Sequence, residues 1–425
     1  MSAATFTRAE IIAVGSEMLA LGRTDTNSAH ITGRLATLGI DVVARSIVRD
    51  HQGDLVAAFQ TALERADLVV VTGGLGPTDD DLTRAAAAEA LARGLSEDAE
   101  QVARIHDRFA RRGLPMPDIN RRQAILLDGA VRLDNEHGTA PGQWLALERQ
   151  AVVLLPGPPR EMVPMFERVL TTLLAPHAGA QHTYRRTVRV VGRSESHVES
   201  LMLPLYAIWR GWDDPVEATI LAAYGRIDLH LFVHAVTPDD ASRVLDQAVA
   251  MATDALGTCV YATDDRDLEQ VVGDALTRRG WRVATAESCT GGMLGWRLTS
   301  VPGSSGWVEG GVVVYSNAMK TALADVPPEL IASHGAVSDE VARALAGGVR
   351  TRAAAEVGVA ITGIAGPEGG SDAKPVGTVF IAVDTPEGTL SRHATFVGDR
   401  AVIRQQASTA ALDMLRLAAE GQSSR

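Results

Sequence analysis

The chain has 425 residues, enough for two to four domains that each bury a core. Its net charge of −12 argues against general binding of DNA or RNA, which needs a basic face; 46% hydrophobic and 22% charged residues are ordinary for a soluble globular protein. Two cysteines, Cys259 and Cys289, make neither a disulfide framework nor a zinc site, the start shows no secretory signal, and no apolar run reaches membrane-spanning length, so a cytoplasmic, membrane-free protein is expected.

In chain order, Glu10 to Val14 reads as a strand leading into Gly15-Ser16-Glu17. Asn27 is placed to cap a helix with Ile31, Leu35 and Leu38 on one face, stopped at Gly39. Ile40 to Val48 is strand-like, Leu55 to Leu63 an amphipathic helix, and Asp67 to Val71 a buried strand; this alternation predicts a mainly parallel sheet. That strand opens into Thr72-Gly73-Gly74-Leu75-Gly76-Pro77-Thr78-Asp79-Asp80-Asp81-Leu82-Thr83. Its three glycines let the backbone turn N–H groups toward an anion, and Asp79, Asp80 and Asp81 are hard oxygen donors suited to a divalent cation. An acidic helix start would read the same way. A helix over Ser96 to Arg112 follows, then Asn120-Arg121-Arg122-Gln123, Gly138 to Gly142, and a strand ending in Pro156-Gly157-Pro158-Pro159-Arg160-Glu161 that launches another helix.

Boundaries fall near 175–181 and 263–267. Between them, a strand over Arg185 to Val191, a helix over Ser194 to Met202, a hairpin around Tyr224-Gly225-Arg226 and a helix over Pro238 to Leu256 make a small α+β unit. The last domain carries Ala286-Glu287-Ser288-Cys289-Thr290-Gly291-Gly292 between a β-like run and an apolar helix. Strand, turn and helix would lift a hydroxyl to a sheet edge beside free helix N–H groups, where it could attack a carbonyl; capping by Ser288 or Thr290 is the plainer use. Further on lie Tyr315-Ser316-Asn317-Ala318-Met319-Lys320 and the glycine loop Thr362-Gly363-Ile364-Ala365-Gly366-Pro367.

In order and spacing these motifs resemble the CinA (competence/damage-inducible protein A) family. Thr72 to Thr83, Asn120 to Gln123, Gly138 to Gly142 and Leu155 to Met162 look like its N-terminal half, which is similar to molybdopterin-binding domains of the MoaB/MogA type. Glu287 to Gly292, Tyr315 to Lys320 and Thr362 to Gly370 look like its nicotinamide mononucleotide amidohydrolase (PncC) half. The resemblance implies an α/β chain: a three-layer domain over 1–175, a small KH-like α+β domain over 176–262, and an α/β deamidase domain over 263–425. No Gly-x-x-Gly clamp marks the middle domain, which argues against RNA.

The implied activities are deamidation of nicotinamide mononucleotide without a metal, and hydrolysis of ADP-ribose at its diphosphate with a divalent metal (Co, Mg or Mn) and K+ as a candidate second ion. For deamidation Ser288 is the nucleophile, Lys320 the base and Tyr315 its orienting or relay group. Thr290, Gly291, Gly292, Thr362, Gly363, Gly366 and Arg404 would bind the nucleotide. In the N-terminal site, Gly73, Gly74, Gly76, Thr78 and Asn27 would bind nucleotide, and Asp79, Asp80, Asp81 and Glu17 the metal. A homodimer is the expected assembly. The rival readings are a non-enzymatic nucleotide-binding regulator linked to competence or DNA damage, and a molybdopterin-binding protein.

Overall fold

The computed structural model describes residues 5–20, 24–179, 181–223 and 225–422; Tyr224, placed in the hairpin turn by the sequence, lies outside them. The chain packs as two compact units, Met1–Tyr184 with His234–Ser242, and Arg185–Val233 with Arg243–Arg425. Most of the 176–262 segment thus packs in the second unit.

The first unit runs β1 (Arg8–Val14), α1 (Thr26–Ala36), β2 (Asp41–Val48), α2 (Gln52–Arg65), β3 (Leu68–Thr72) and α3 (Thr83–Ala90). It continues with β4 (Leu95–Glu97), α4 (Ala99–Ala110), β5 (Ile125–Leu127), β6 (Val131–Leu133), β7 (Gly142–Ala146), β8 (Ala151–Leu155) and α5 (Pro159–Val169). One six-stranded sheet has the order β2-β1-β3-β8-β7-β6. Its β2, β1, β3 and β8 are parallel, while β7 pairs antiparallel with both β8 and β6. Alternation builds three layers. Ile11, Val70 and Val153 pack with Ile31 and Leu35 of α1 and Phe166 of α5. Their neighbours Ile12, Val69, Val71 and Val152 pack on the other face with Leu55 and Phe59 of α2 and Ala86 of α3. Burying each of these Val, Ile, Leu and Phe side chains stabilises the unit by about 1.5–3 kcal/mol.

The middle segment forms β9 (His182–Val191), α6 (Glu195–Arg210), β10 (Glu217–Ala223), β11 (Arg226–Ala235), α7 (Pro238–Leu256) and β12 (Val260–Ala262), with sheet order β10-β11-β9-β12. His230 and His234 share a face of β11, and among the described residues their rings hydrogen-bond to threonine hydroxyls of β9, Thr187 and Thr183 respectively.

The C-terminal part runs α8 (Leu268–Arg279), β13 (Val283–Glu287), α9 (Met293–Thr299), β14 (Val308–Val313), α10 (Asn317–Ala324) and α11 (Pro328–His334), then α12 (Asp339–Arg352), β15 (Val357–Gly363), β16 (Thr378–Thr385), β17 (Gly388–Thr395) and α13 (Arg400–Ala419). The sheet order is β14-β13-β15-β16-β17. Its two faces differ in side-chain size. Val283, Val359, Ile361 and Ile381 meet α8, α9 and α13, whereas Ala284, Ala286, Ala360 and Ala382 face α10 and α12. Small residues let α12 lie close: a Cβ on Gly358 would come within 2.0 Å of the Ala346 carbonyl oxygen. Among the described residues no helix is long and apolar enough to cross a membrane.

Candidate active sites

The strands β14, β13 and β15 are parallel, so their carboxyl ends share one edge. There β13, buried throughout, delivers Ser288, which is 8% exposed and donates its N–H to the Ile361 carbonyl at 2.9 Å. Ser316 caps α10 and so fixes Lys320 one turn inside it. Lys320 is 2% exposed, with Nζ 3.2 Å from Ser288 Oγ. The same nitrogen donates to the carbonyls of Val314 at 2.9 Å and Tyr315 at 3.3 Å. Burial pushes this amine below its usual value. Burial pushes the neighbouring Cys289 thiol up to about 11, which leaves it un-ionised at neutral pH and a poor rival to Ser288.

Several expectations are corrected here. Neither Ser288 nor Thr290 caps α9: Gly292 is its N-cap, at φ +94. The buried Glu287 carboxylate reaches back instead, accepting from the N–H groups of Gly292 (3.1 Å), Leu294 (3.0 Å) and Gly295 (2.7 Å). The helix N–H groups expected to be free are therefore occupied. Among the described residues, the N–H groups that donate to no oxygen at this turn are those of Cys289, beside its own thiol, and Thr290. The Thr290 hydroxyl is buried without a partner. Tyr315 orients Lys320 through its carbonyl and not its phenol, which is 61% exposed and accepts from Arg400 at 3.1 Å.

Arg400 and Arg404 lie one turn apart on α13. Arg400 also donates to the Gly366 carbonyl at 2.9 Å, and Arg404 donates twice to the Thr290 carbonyl, at 3.2 and 2.6 Å. The pair ties the segments after β13, β14 and β15 together, so Arg404 spends part of its fork on structure. Thr362 turns its hydroxyl away to the Ala336 carbonyl at 2.7 Å, and Gly363 sits where a Cβ would meet the Thr378 carbonyl at 2.7 Å. Gly291 and Gly292 supply left-handed backbone to the turn. Glu287 and Arg400 are functional candidates that motif reading missed; the only sequence signal was an acid directly before the serine and a second arginine four residues before Arg404.

In the first unit, Gly15, the Gly73–Gly76 loop and Pro156 to Pro158 follow β1, β3 and β8 and border a cavity of about 470 Å3. Gly73, at φ +96, passes so close to β1 that a Cβ would lie 2.3 Å from the Val14 carbonyl oxygen. The three aspartates separate in role. Asp81 is a strut: its carboxylate accepts from the N–H groups of Gly76 (2.7 Å) and Thr78 (2.8 Å). Asp79 is ion-paired with Arg122. Asp80 and Glu17 line the cavity, together with Asp81, Asp50 and Glu161. Thr78 spends its N–H and hydroxyl on Asp81.

Asn27 is not the cap of α1. Asp25 caps it, accepting from Ser28 N–H, and Asn27 instead donates to the Gly157 carbonyl at 2.7 Å, bracing the wall of the cavity. Arg84, passed over in the sequence, is buried and donates to the carbonyls of Leu75 (2.7 Å) and Gly76 (2.8 Å); burial pushes it down to about 10. Among the described residues no three acidic, histidine or cysteine side chains are gathered as a metal cage. The hard oxygens of Asp80 and Glu17 on one cavity fit a divalent cation that completes its shell with phosphate oxygens and water.

Residues 265–419 match the family description "CinA C-terminal domain", and residues 10–176 match "Probable molybdopterin binding domain". The chain is 45% identical over 412 residues to a CinA-like protein of Acidobacterium capsulatum, covering 96% of this chain and 99% of that one. It is 44% identical over 412 residues to a CinA-like protein of Koribacter versatilis, with the same coverage. Among solved structures, a competence/damage inducible protein from Agrobacterium tumefaciens shares 39% identity, covers 36% of this chain and 93% of its own, and aligns with a TM-score of 0.35.

Proposed function

The chain belongs to the CinA family, and we propose that its C-terminal domain deamidates nicotinamide mononucleotide to the nicotinate nucleotide and ammonia. The observation that carries this reading is the 3.2 Å approach of Lys320 Nζ to Ser288 Oγ in a buried setting. A neutral amine has two N–H groups and one lone pair. The carbonyls of Val314 and Tyr315 take the two N–H groups, which leaves the lone pair for the serine hydroxyl. Lysine occurs only at positions 320 and 374 among 40 basic residues, so this position uses an amine where the chain otherwise uses arginine.

Ser288 Oγ adds to the carboxamide carbon as Lys320 takes its proton. The oxyanion lies against the N–H groups of Cys289 and Thr290. On collapse the C–N bond breaks and Lys320 returns the proton to the leaving nitrogen, releasing ammonia. Water, deprotonated by Lys320, then attacks the ester carbonyl; the carboxylate leaves and Ser288 recovers its proton. Ammonia release from nicotinamide mononucleotide by purified protein tests the reading.

The N-terminal domain hydrolyses ADP-ribose at its diphosphate in the same proposal. In the Gly73–Gly76 loop the N–H groups of Gly73 and Gly76 are held by the Leu155 carbonyl and Asp81, so Gly74 and Leu75 are the ones to meet phosphates, with the buried Arg84 adding positive charge behind them. Asp80 and Glu17 would hold a divalent cation, which when bound neutralises the diphosphate and lowers the pKa of a water. A second reading, binding of a molybdopterin-type phosphate in the same cavity, is favoured by the family match over residues 10–176. Release of AMP from ADP-ribose distinguishes the two.

A further inference from the structure

Away from both candidate sites, two adjoining cavities of about 170 and 190 Å3 lie where the turn after β9 faces β17 and the second half of α13. They share Val191, Gly192, Arg193, Arg392 and Asp413. Buried arginines of this unit are otherwise matched to acids: Arg297 to Glu269, and Arg416 to Asp413 and Glu420. Arg193 and Arg392 are both half-buried, and neither has a carboxylate within ion-pair distance among the described residues. Among the described residues, the Arg193 guanidinium donates to the Cys259 sulfur, at 3.2 Å. Asp413 is paired with Arg416, its Oδ1 accepting twice at 3.1 and 2.7 Å, while its Oδ2 is turned toward Gly192. Phe396 also lines the first cavity, and Met414 and Leu417 the second.

We propose that this cleft binds a small carboxylate carried on a flat apolar body. Two guanidinium forks suit the planar carboxylate. The volume suits one ring, and the apolar wall would remain wetted around a bare tetrahedral anion. Nothing in this assignment depends on the deamidase or pyrophosphatase readings.

Benzoate is the probe, titrated calorimetrically into the full-length protein at low ionic strength, with inorganic phosphate as competitor. The wild type should bind one benzoate per chain, and phosphate should not displace it. Arg392→Gln and Arg193→Gln should each weaken binding by about tenfold or more, the scale of a lost charge-assisted hydrogen bond. Arg392→Lys keeps the charge and should lie between wild type and Arg392→Gln, so a melting defect in one glutamine variant leaves the test intact. Absence of benzoate binding, retention of it by both glutamine variants, or equal competition by phosphate overturns the assignment.

Discussion

Replacing Glu287 by Gln tests how the serine turn is built. In the wild type, one carboxylate oxygen accepts from Gly292 and Leu294 and the other from Gly295. An amide can keep one oxygen in place, so at least one buried N–H then faces an NH2 group, and the remaining bonds lose their charge. An orphaned buried donor costs about 1–3 kcal/mol, and loss of charge assistance roughly 1 kcal/mol for each remaining bond. The total is about 3–5 kcal/mol, or a fall of about 10 °C in the melting temperature of a unit this large. Ammonia release should fall as well, because Ser288 precedes the turn that Glu287 holds. Differential scanning calorimetry beside an ammonia assay reads both. A variant that melts within about 1 °C of wild type and turns over normally would refute the role of Glu287.

Lys320→Arg should abolish ammonia release, since arginine stays protonated, and Lys320→Met should do so while stabilising the fold at neutral pH. The sign follows from a folded pKa below the ordinary 10.5: the cost of burying the ammonium is fully present below the folded value and is relieved as pH rises toward 10.5. Urea melts should therefore show the methionine advantage shrinking with rising pH, and the wild-type rate should rise with pH along a limb whose midpoint lies below 10.5. Asp81→Asn should destabilise the first unit by about 1–3 kcal/mol by loosening the glycine loop, whereas Asp80→Asn should leave its melting unchanged and remove AMP release from ADP-ribose; equal melting losses in both would end the distinction between strut and ligand. EDTA should stop AMP release and spare ammonia release, so inhibition of both to the same extent would contradict two separate chemistries.

Much of this architecture was legible from periodicity. The runs Leu68–Thr72, Ala151–Leu155, Val283–Glu287 and Val357–Gly363 are strands as their apolar or β-like patterns suggested, and the Gly73–Gly76, Gly291–Gly292 and Gly363–Gly366 loops follow three of them. Ser288 and Lys320 were legible as a pair through the family pattern, and they meet across 32 positions of sequence. What could not be read was which of several competing polar groups takes each backbone donor. Glu287, not Ser288, satisfies α9; Asp25, not Asn27, satisfies α1; Asp81 satisfies the loop that three aspartates could equally have served. These choices depend on where side chains point after the sheets form, and one-dimensional spacing carries no such information. Arg84 and Arg400 were opaque for the same reason, because an arginine that donates to backbone carbonyls looks in sequence like a solvated one.

The central claim is that Ser288 and Lys320 together hydrolyse a carboxamide. Its most direct test is the rate of ammonia release from nicotinamide mononucleotide by wild-type protein and by Ser288→Ala, each checked for folding by circular dichroism. The account predicts steady turnover by the wild type and a loss of about a thousandfold or more in the folded alanine variant. A folded Ser288→Ala protein that releases ammonia at the wild-type rate, or a wild type that releases none, would contradict it.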